Sequence, residues 1–144
     1  TVGESAAGVF PGLRHRDFGY ADELKLRALL SNADVFLYPS RHEGYPLMVL
    51  EAFACRCPVV TTEAVPYAKN EVNAYVSVIE DSNSMTNHIL ALLKSESLKQ
   101  QIVEEAFLYA TANTMRKSHR LFEDTLRDIL SQQVGMPNAR SKFV

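Results

Sequence analysis

The sequence predicts an α/β fold, a parallel sheet flanked by helices, and three observations carry that reading. Asp34-Val35-Phe36-Leu37-Tyr38-Pro39-Ser40 is a short apolar run ended by proline, the pattern of a strand buried on both faces. Pro58-Val59-Val60-Thr61-Thr62 is a β-branched run with proline at its first residue, where a strand tolerates it. Around these runs the apolar residues recur at helical spacing, and strands alternating with helices argue for a parallel sheet.

Residues 1–19 are mixed and rich in glycine and small side chains, with a short strand expected around Val9 and Phe10. Residues 21–32 form a helical pattern whose apolar face is Leu24, Leu26, Ala28, Leu29 and Leu30. Asp22 and Glu23 sit where a helix N-terminus favours negative charge. After the first strand, Pro46 is expected at the first helical position of a helix that runs to about Cys55. The second strand covers residues 58–62 and a weaker one residues 75–79. Asp81-Ser82 can cap a helix through Met85, Ile89, Leu90, Leu92 and Leu93. Two more helices are expected at residues 98–111 and 115–131. Residues 135–144 have no period and read as a disordered tail.

The bulk composition excludes several classes. With 47% hydrophobic and 22% charged residues in 144, the chain has the material for one globular core. Net charge is −2, from 15 basic and 17 acidic side chains, so the basic footprint of a nucleic-acid binder is missing. No run approaches the roughly 20 apolar residues that cross a bilayer, and the start lacks signal-peptide organisation. Cys55 and Cys57 form a lone C-x-C pair, which is no disulfide framework and too few ligands for a metal. Two free thiols in a reducing compartment are expected. Thr1-Val2-Gly3-Glu4 carries neither an initiator methionine nor a capping signal and reads as the start of an excised piece.

The chemistry-bearing stretch is Ser40-Arg41-His42-Glu43-Gly44-Tyr45-Pro46-Leu47-Met48-Val49-Leu50-Glu51-Ala52. It joins strand to helix, and in parallel sheets ligands bind beyond the C-terminal strand ends. At about 1.5 Å per residue, Pro46 to Glu51 spans roughly 7 to 8 Å along the helix. Glu43 and Glu51 therefore flank the helix start without touching. Between them the unpaired amides of the first turn offer a diphosphate site. A carboxylate on each side can accept from sugar hydroxyls. That geometry suits a nucleotide-diphosphate sugar; equally, Glu43 can cap the loop while Glu51 lies on a solvated helix face.

With these residues the chain resembles the retaining, family 4-type (group 1) glycosyltransferases of the GT-B fold. Their signature is a pair of glutamates with seven residues between them, as Glu43 and Glu51 have. The surroundings agree: Phe18-Gly19-Tyr20, Ala33-Asp34-Val35, Pro39-Ser40, Glu43-Gly44-Tyr45-Pro46, Leu50-Glu51-Ala52 and Pro58-Val59-Val60-Thr61. The likeness runs from about residue 15 to 90 and implies a Rossmann-like, partial C-terminal half of a GT-B enzyme over residues 1–133, with residues 134–144 as tail. It implies Glu43 as the catalytic residue on the transferred sugar and Glu51 on the ribose, with the backbone of Gly44, Tyr45, Pro46 and Leu47 on the diphosphate. Hexose transfer with retention would follow, without metal or cofactor, the leaving phosphate helping to deprotonate the acceptor. The implied partners are a nucleotide-sugar donor and a glycan or lipid-linked acceptor held by an N-terminal domain outside this chain. Alone, this piece is expected to be inactive. A cytoplasmic place, with peripheral contact at the inner membrane face, and a part in polysaccharide biosynthesis complete the expectation.

Five positions depart from the family pattern, one of them Tyr67, which follows Val65-Pro66 where the family often has an acidic residue. Arg56 stands where glycine usually ends the helix, and a left-handed backbone there costs an L-residue about 1 to 2 kcal/mol. Glu63 and Ala64 replace two glycines, and Ala74 a third. These changes favour a rival reading, a degenerate nucleotide-sugar-binding or scaffold module without catalysis. An unrelated doubly wound domain would need an acidic phosphorylation pocket or a flavin loop at the strand ends, and neither is present. His42 and Arg41 are read as solvated loop residues, with contact to sugar or phosphate as the alternative. The cluster Arg116, Lys117, His119 and Arg120 is read as a solvated face, with anionic lipid as the alternative. Phe107, Tyr109, Leu121, Phe122 and Leu126 are read as core or as a docking surface for the absent domain.

Overall fold

The computed structural model describes residues 1–2, 12 and 14–134; the strand expected at Val9 and Phe10 and the tail at residues 135–144 lie outside them. Two compact units are present, Thr1–Ala110 and Thr111–Val144. The first contains helix α1 (Glu23–Ser31), strand β1 (Phe36–Tyr38), helix α2 (Leu47–Ala54), strands β2 (Val59–Thr62) and β3 (Tyr75–Ser77), helix α3 (Ser82–Lys94) and most of helix α4 (Glu96–Ala112). The second contains helix α5 (Met115–Val134).

The three strands form a parallel sheet in the order β1-β2-β3. Phe36 pairs with Val59 and Tyr38 with Thr61; on the other side Val60 pairs with Tyr75 and Thr62 with Ser77. Strand β2 is central and every one of its residues is buried. Its alternating side chains divide the core. Val59 joins Val49, Ala52 and Phe53 of α2 and Leu30 of α1 on one face, whereas Val60 joins Leu92 of α3 and Ile102 of α4 on the other. Helix α4 reaches both clusters, since Ala106 and Ala110 return to the first. Phe53 is fully buried, a burial worth about 2 kcal/mol on its own.

Local chemistry explains the helix starts. Asp22 caps α1, accepting from the Lys25 amide at 2.8 Å, and Asp81 caps α3, accepting from the Ser84 amide at 2.9 Å. Three expectations need correction. Pro46 is the residue before α2, with extended backbone, and the first helical residue is Leu47. Strand β1 is not buried on both faces: Leu37 is 45% exposed. Val35, two residues back on the same side, packs with the second cluster, but α3 lies against β2 and β3 and leaves Leu37 uncovered. In α1 only Leu30 is buried; Leu24 and Ala28 point to solvent.

The chain ends α2 with Arg56 in the left-handed region, at φ 56°. The Arg56 amide donates to the Phe53 carbonyl at 3.0 Å and the Cys57 amide to Ala52 at 2.9 Å. This is the paired-bond helix terminus that ordinarily recruits glycine. The guanidinium pairs with Glu104 and lies 4.0 Å above the Phe107 ring of α4. An exposed ion pair and a cation–π contact contribute roughly 1 kcal/mol together, which offsets much of the left-handed strain. Glu63, Ala64 and Ala74 avoid the left-handed region altogether, so the glycines they replace are not required by backbone conformation. Cys57 is buried and Cys55 partly so, both as free thiols, and burial pushes the Cys57 thiol up to about 11. Among the described residues no helix is long and apolar enough to cross a membrane.

Arg56→Ala and Arg56→Gly both lose Glu104 and Phe107, but only glycine relieves the backbone. In urea unfolding the glycine variant should therefore exceed the alanine variant by about 1 kcal/mol. Equal midpoints would show that the turn is not strained.

Candidate functional site

The loop that leaves β1 is held from beneath by strand β2. Thr61 Oγ1 donates to the Tyr38 carbonyl at 2.8 Å and Thr62 Oγ1 donates to the Ser40 carbonyl. Both threonines are buried, so these hydroxyls meet little competition from water. Three residues past Ser40 the chain presents Glu43, whose Oε1 accepts from the Tyr38 phenol at 2.7 Å. The Ser40 hydroxyl, which also reaches the His42 carbonyl at 3.2 Å, and the Tyr38 phenol hold the Glu43 carboxyl below its ordinary range. Burial and the bond to Glu43 push Tyr38 up to about 12, so its proton stays in place.

Beyond Glu43 the loop turns into α2. Gly44 faces open space: a Cβ built there would meet nothing within 4 Å. Tyr45 is half exposed and Pro46 is buried. The Pro46 carbonyl accepts from the buried Tyr67 hydroxyl. Tyr67 stacks on Tyr109 of α4 with centroids 5.4 Å apart, meets Tyr45 at 4.7 Å and stands edge-on to Phe53 at 6.1 Å. Burial raises the Tyr67 phenol well above its ordinary value. No side chain caps α2, which leaves its first amides to whatever lies before them.

Glu51 falls in the second turn of α2 and its side chain is exposed. It lines a groove of about 560 Å³ between α1 and α2, with Glu23, Leu26, Arg27, Leu30, Ala54 and Cys55. Glu43 is not part of that groove. The two carboxylates thus stand before and after the start of α2, in separate surroundings. Arg41 pairs with Glu80 at 3.0 Å, both well exposed, and His42 is exposed. Tyr109 packs against the core and Phe107 lies under Arg56, so both serve packing within their own unit. The basic residues Arg116, Lys117, His119 and Arg120 lie at the start of α5 and are exposed. Among the described residues no group of three or more His, Cys, Asp or Glu side chains is placed to hold a metal ion.

Tyr38, Thr61, Thr62 and Tyr67 escape a reading by motif. Their contribution depends on which carbonyl or carboxylate the folded chain brings to each hydroxyl. A tyrosine directly before Pro39-Ser40, five residues ahead of Glu43, is the one signal in the sequence.

The family model for glycosyl transferases group 1 matches residues 12–108. The chain is 32% identical over 81 residues to a Campylobacter jejuni enzyme, N,N'-diacetylbacillosaminyl-diphospho-undecaprenol alpha-1,3-N-acetylgalactosaminyltransferase, covering 54% of this chain and 22% of that protein. It is 33% identical over 88 residues to the Escherichia coli O-antigen chain mannosyltransferase B, covering 59% and 23%. The chain thus spans under a quarter of the length of these relatives. Among solved structures, Anabaena HepE in complex with UDP-glucose superposes with a TM-score of 0.72 at 19% identity, over 78% of this chain and 32% of HepE. The C-terminal domain of the group 1 glycosyl transferase LpcC from Francisella tularensis gives 0.61 at 23% identity, over 67% and 52%. The fold is that of a GT-B glycosyltransferase domain.

Tyr67→Phe keeps the aromatic packing and removes the bond to the Pro46 carbonyl. It should lower stability by about 1 kcal/mol in a thermal or urea melt. A melt indistinguishable from the parent would assign the loop's anchoring to ring packing alone.

Proposed function

Because the chain belongs to the group 1 glycosyl transferases, we propose that it is the donor-binding part of a retaining hexosyltransferase. The observation that carries this reading is the placement of Glu43 and Glu51 around the uncapped start of α2. The donor is a nucleotide-diphosphate sugar. Its diphosphate meets the amides of residues 44–47 at the positive end of the helix, which supplies charge compensation without a metal. The open space at Gly44 lets a phosphate approach the backbone. Glu51 takes the ribose hydroxyls from the groove beside α1, and Glu43 takes the hydroxyls of the transferred sugar.

In the reaction the acceptor oxygen bonds to the anomeric carbon as the bond from that carbon to the phosphate oxygen breaks. The acceptor proton passes to the departing phosphate on the same face, which gives retention. Glu43, held ionised by Ser40 and Tyr38, fixes the ring and offers negative charge to the developing oxocarbenium. The acceptor is a glycan or lipid-linked glycan in bacterial surface polysaccharide synthesis, a reading supported by the two relatives' names. It is held by chain outside these residues, and the reaction takes place at the cytoplasmic membrane face. Against the rival reading of a degenerate module stands the intact pair Glu43 and Glu51; Glu63, Ala64 and Ala74 keep ordinary backbone, and Arg56 lies at the far end of α2.

Calorimetric titration of the intact protein with UDP-glucose, GDP-mannose, ADP-glucose and dTDP-glucose should show saturable binding of one nucleotide class. Glu51→Gln should weaken both the sugar nucleotide and the free nucleotide about tenfold, the worth of a charge-assisted hydrogen bond. Glu43→Gln should weaken only the sugar nucleotide. With its folded pKa depressed, Glu43 keeps its charge as pH falls through the ordinary glutamate range near 4.3, so the extra affinity of the sugar nucleotide over its free nucleotide should persist there and fade only below it. Absence of binding by every donor from folded, intact protein would sink the donor reading.

A further inference from the structure

We propose that Tyr38 is a positioning residue for the donor sugar: its phenol sets the rotamer of Glu43. This inference rests on the donor reading of Glu43 and extends it to a residue that no motif identifies. Strand alternation puts Tyr38 on the same side as Phe36, and their rings lie 5.8 Å apart. The phenol is thereby braced along its length, with its backbone carbonyl held by the buried Thr61 hydroxyl. From that brace the hydroxyl reaches forward five residues and donates to Oε1 of Glu43 at 2.7 Å. The bond engages Oε1, and together with the Ser40 hydroxyl, which also bonds the carboxylate, it fixes how Glu43 is presented.

The geometry has a chemical consequence. Glutamate has three rotatable bonds and loses about 1 to 2 kcal/mol of rotamer entropy when held. A loop glutamate without a partner would meet that cost when the sugar arrives. Here the cost is met on folding, through a rigid donor rooted in the sheet. A phenol that stays protonated across the working pH range cannot release the carboxylate. The carboxylate is therefore presented to the sugar in one orientation, the preorganisation on which transition-state complementarity depends. Thr62 serves the same end by holding the Ser40 carbonyl, which fixes the loop between tyrosine and glutamate.

The test is Tyr38→Phe in the intact protein, read by two measurements. The first titrates each sugar nucleotide against its own free nucleotide: UDP-glucose with UDP, GDP-mannose with GDP, ADP-glucose with ADP and dTDP-glucose with dTDP. The second follows the Glu43 side-chain carboxyl by carbon NMR against pH. The expected result is about tenfold weaker binding of the sugar nucleotide, unchanged binding of the free nucleotide, and a Glu43 midpoint that moves up. A variant that loses both ligands equally, or neither, overturns the positioning role, as does an unmoved Glu43 midpoint. If the parent protein binds none of these ligands, the donor reading falls first and this inference falls with it. Tyr38→Trp, which fills the space without a hydroxyl in the right place, serves as the second variant. It should reproduce the selective loss if Tyr38→Phe proves poorly folded, and retention of full sugar-nucleotide affinity would overturn the proposal.

Discussion

Two threonine hydroxyls at the end of a fully buried strand decide where the loop of the site can be. A parallel strand in the middle of a sheet spends its amides and carbonyls on its neighbours, and its side chains are enclosed on both faces. A hydroxyl there needs a partner, and Thr61 and Thr62 find theirs in the Tyr38 and Ser40 carbonyls of the departing chain. The loop's first residues are thereby tied to β2. Glu43, Gly44 and the start of α2 inherit that placement.

The other end of the loop is tied by a different kind of contact. Tyr45, Tyr67 and Tyr109 come from a loop, a turn after β2 and a helix, with Tyr45 and Tyr109 separated by 64 residues. They meet because α2 buries Phe53 against the same patch. The site is therefore suspended between hydrogen bonds on its strand side and ring packing on its helix side. Both are rigid supports for the loop that carries Glu43.

Much of this was legible in the residues, and the boundary of legibility is physical. The order of strands and helices follows from local signals: proline at strand ends, aspartate caps at α1 and α3, and apolar spacing. The glutamate pair is visible because its spacing is fixed by one loop and one helix. Leu37's exposure was not legible, because it depends on how far α3 extends across the sheet. Nor was the burden on Arg56, since the same sequence could have ended α2 without a left-handed residue; only the placement of Glu104 and Phe107 on α4 decides it. The phenol of Tyr38 and the hydroxyls of the threonines act across distances that no period in the sequence encodes.

The ring cluster around the loop also makes the protein its own optical instrument. The chain contains no tryptophan and six tyrosines, and four of these, Tyr38, Tyr45, Tyr67 and Tyr109, sit within or beneath the loop between β1 and α2. Tyrosine emission is ordinarily drowned by indole; within these residues nothing masks it. Its intensity is sensitive to a neighbouring carboxylate that takes the phenolic proton in the excited state, and to stacking between rings. Any change in the surroundings of Glu43 or Tyr45 is thus readable in the intrinsic fluorescence of this chain, with no dye, tag or introduced fluorophore.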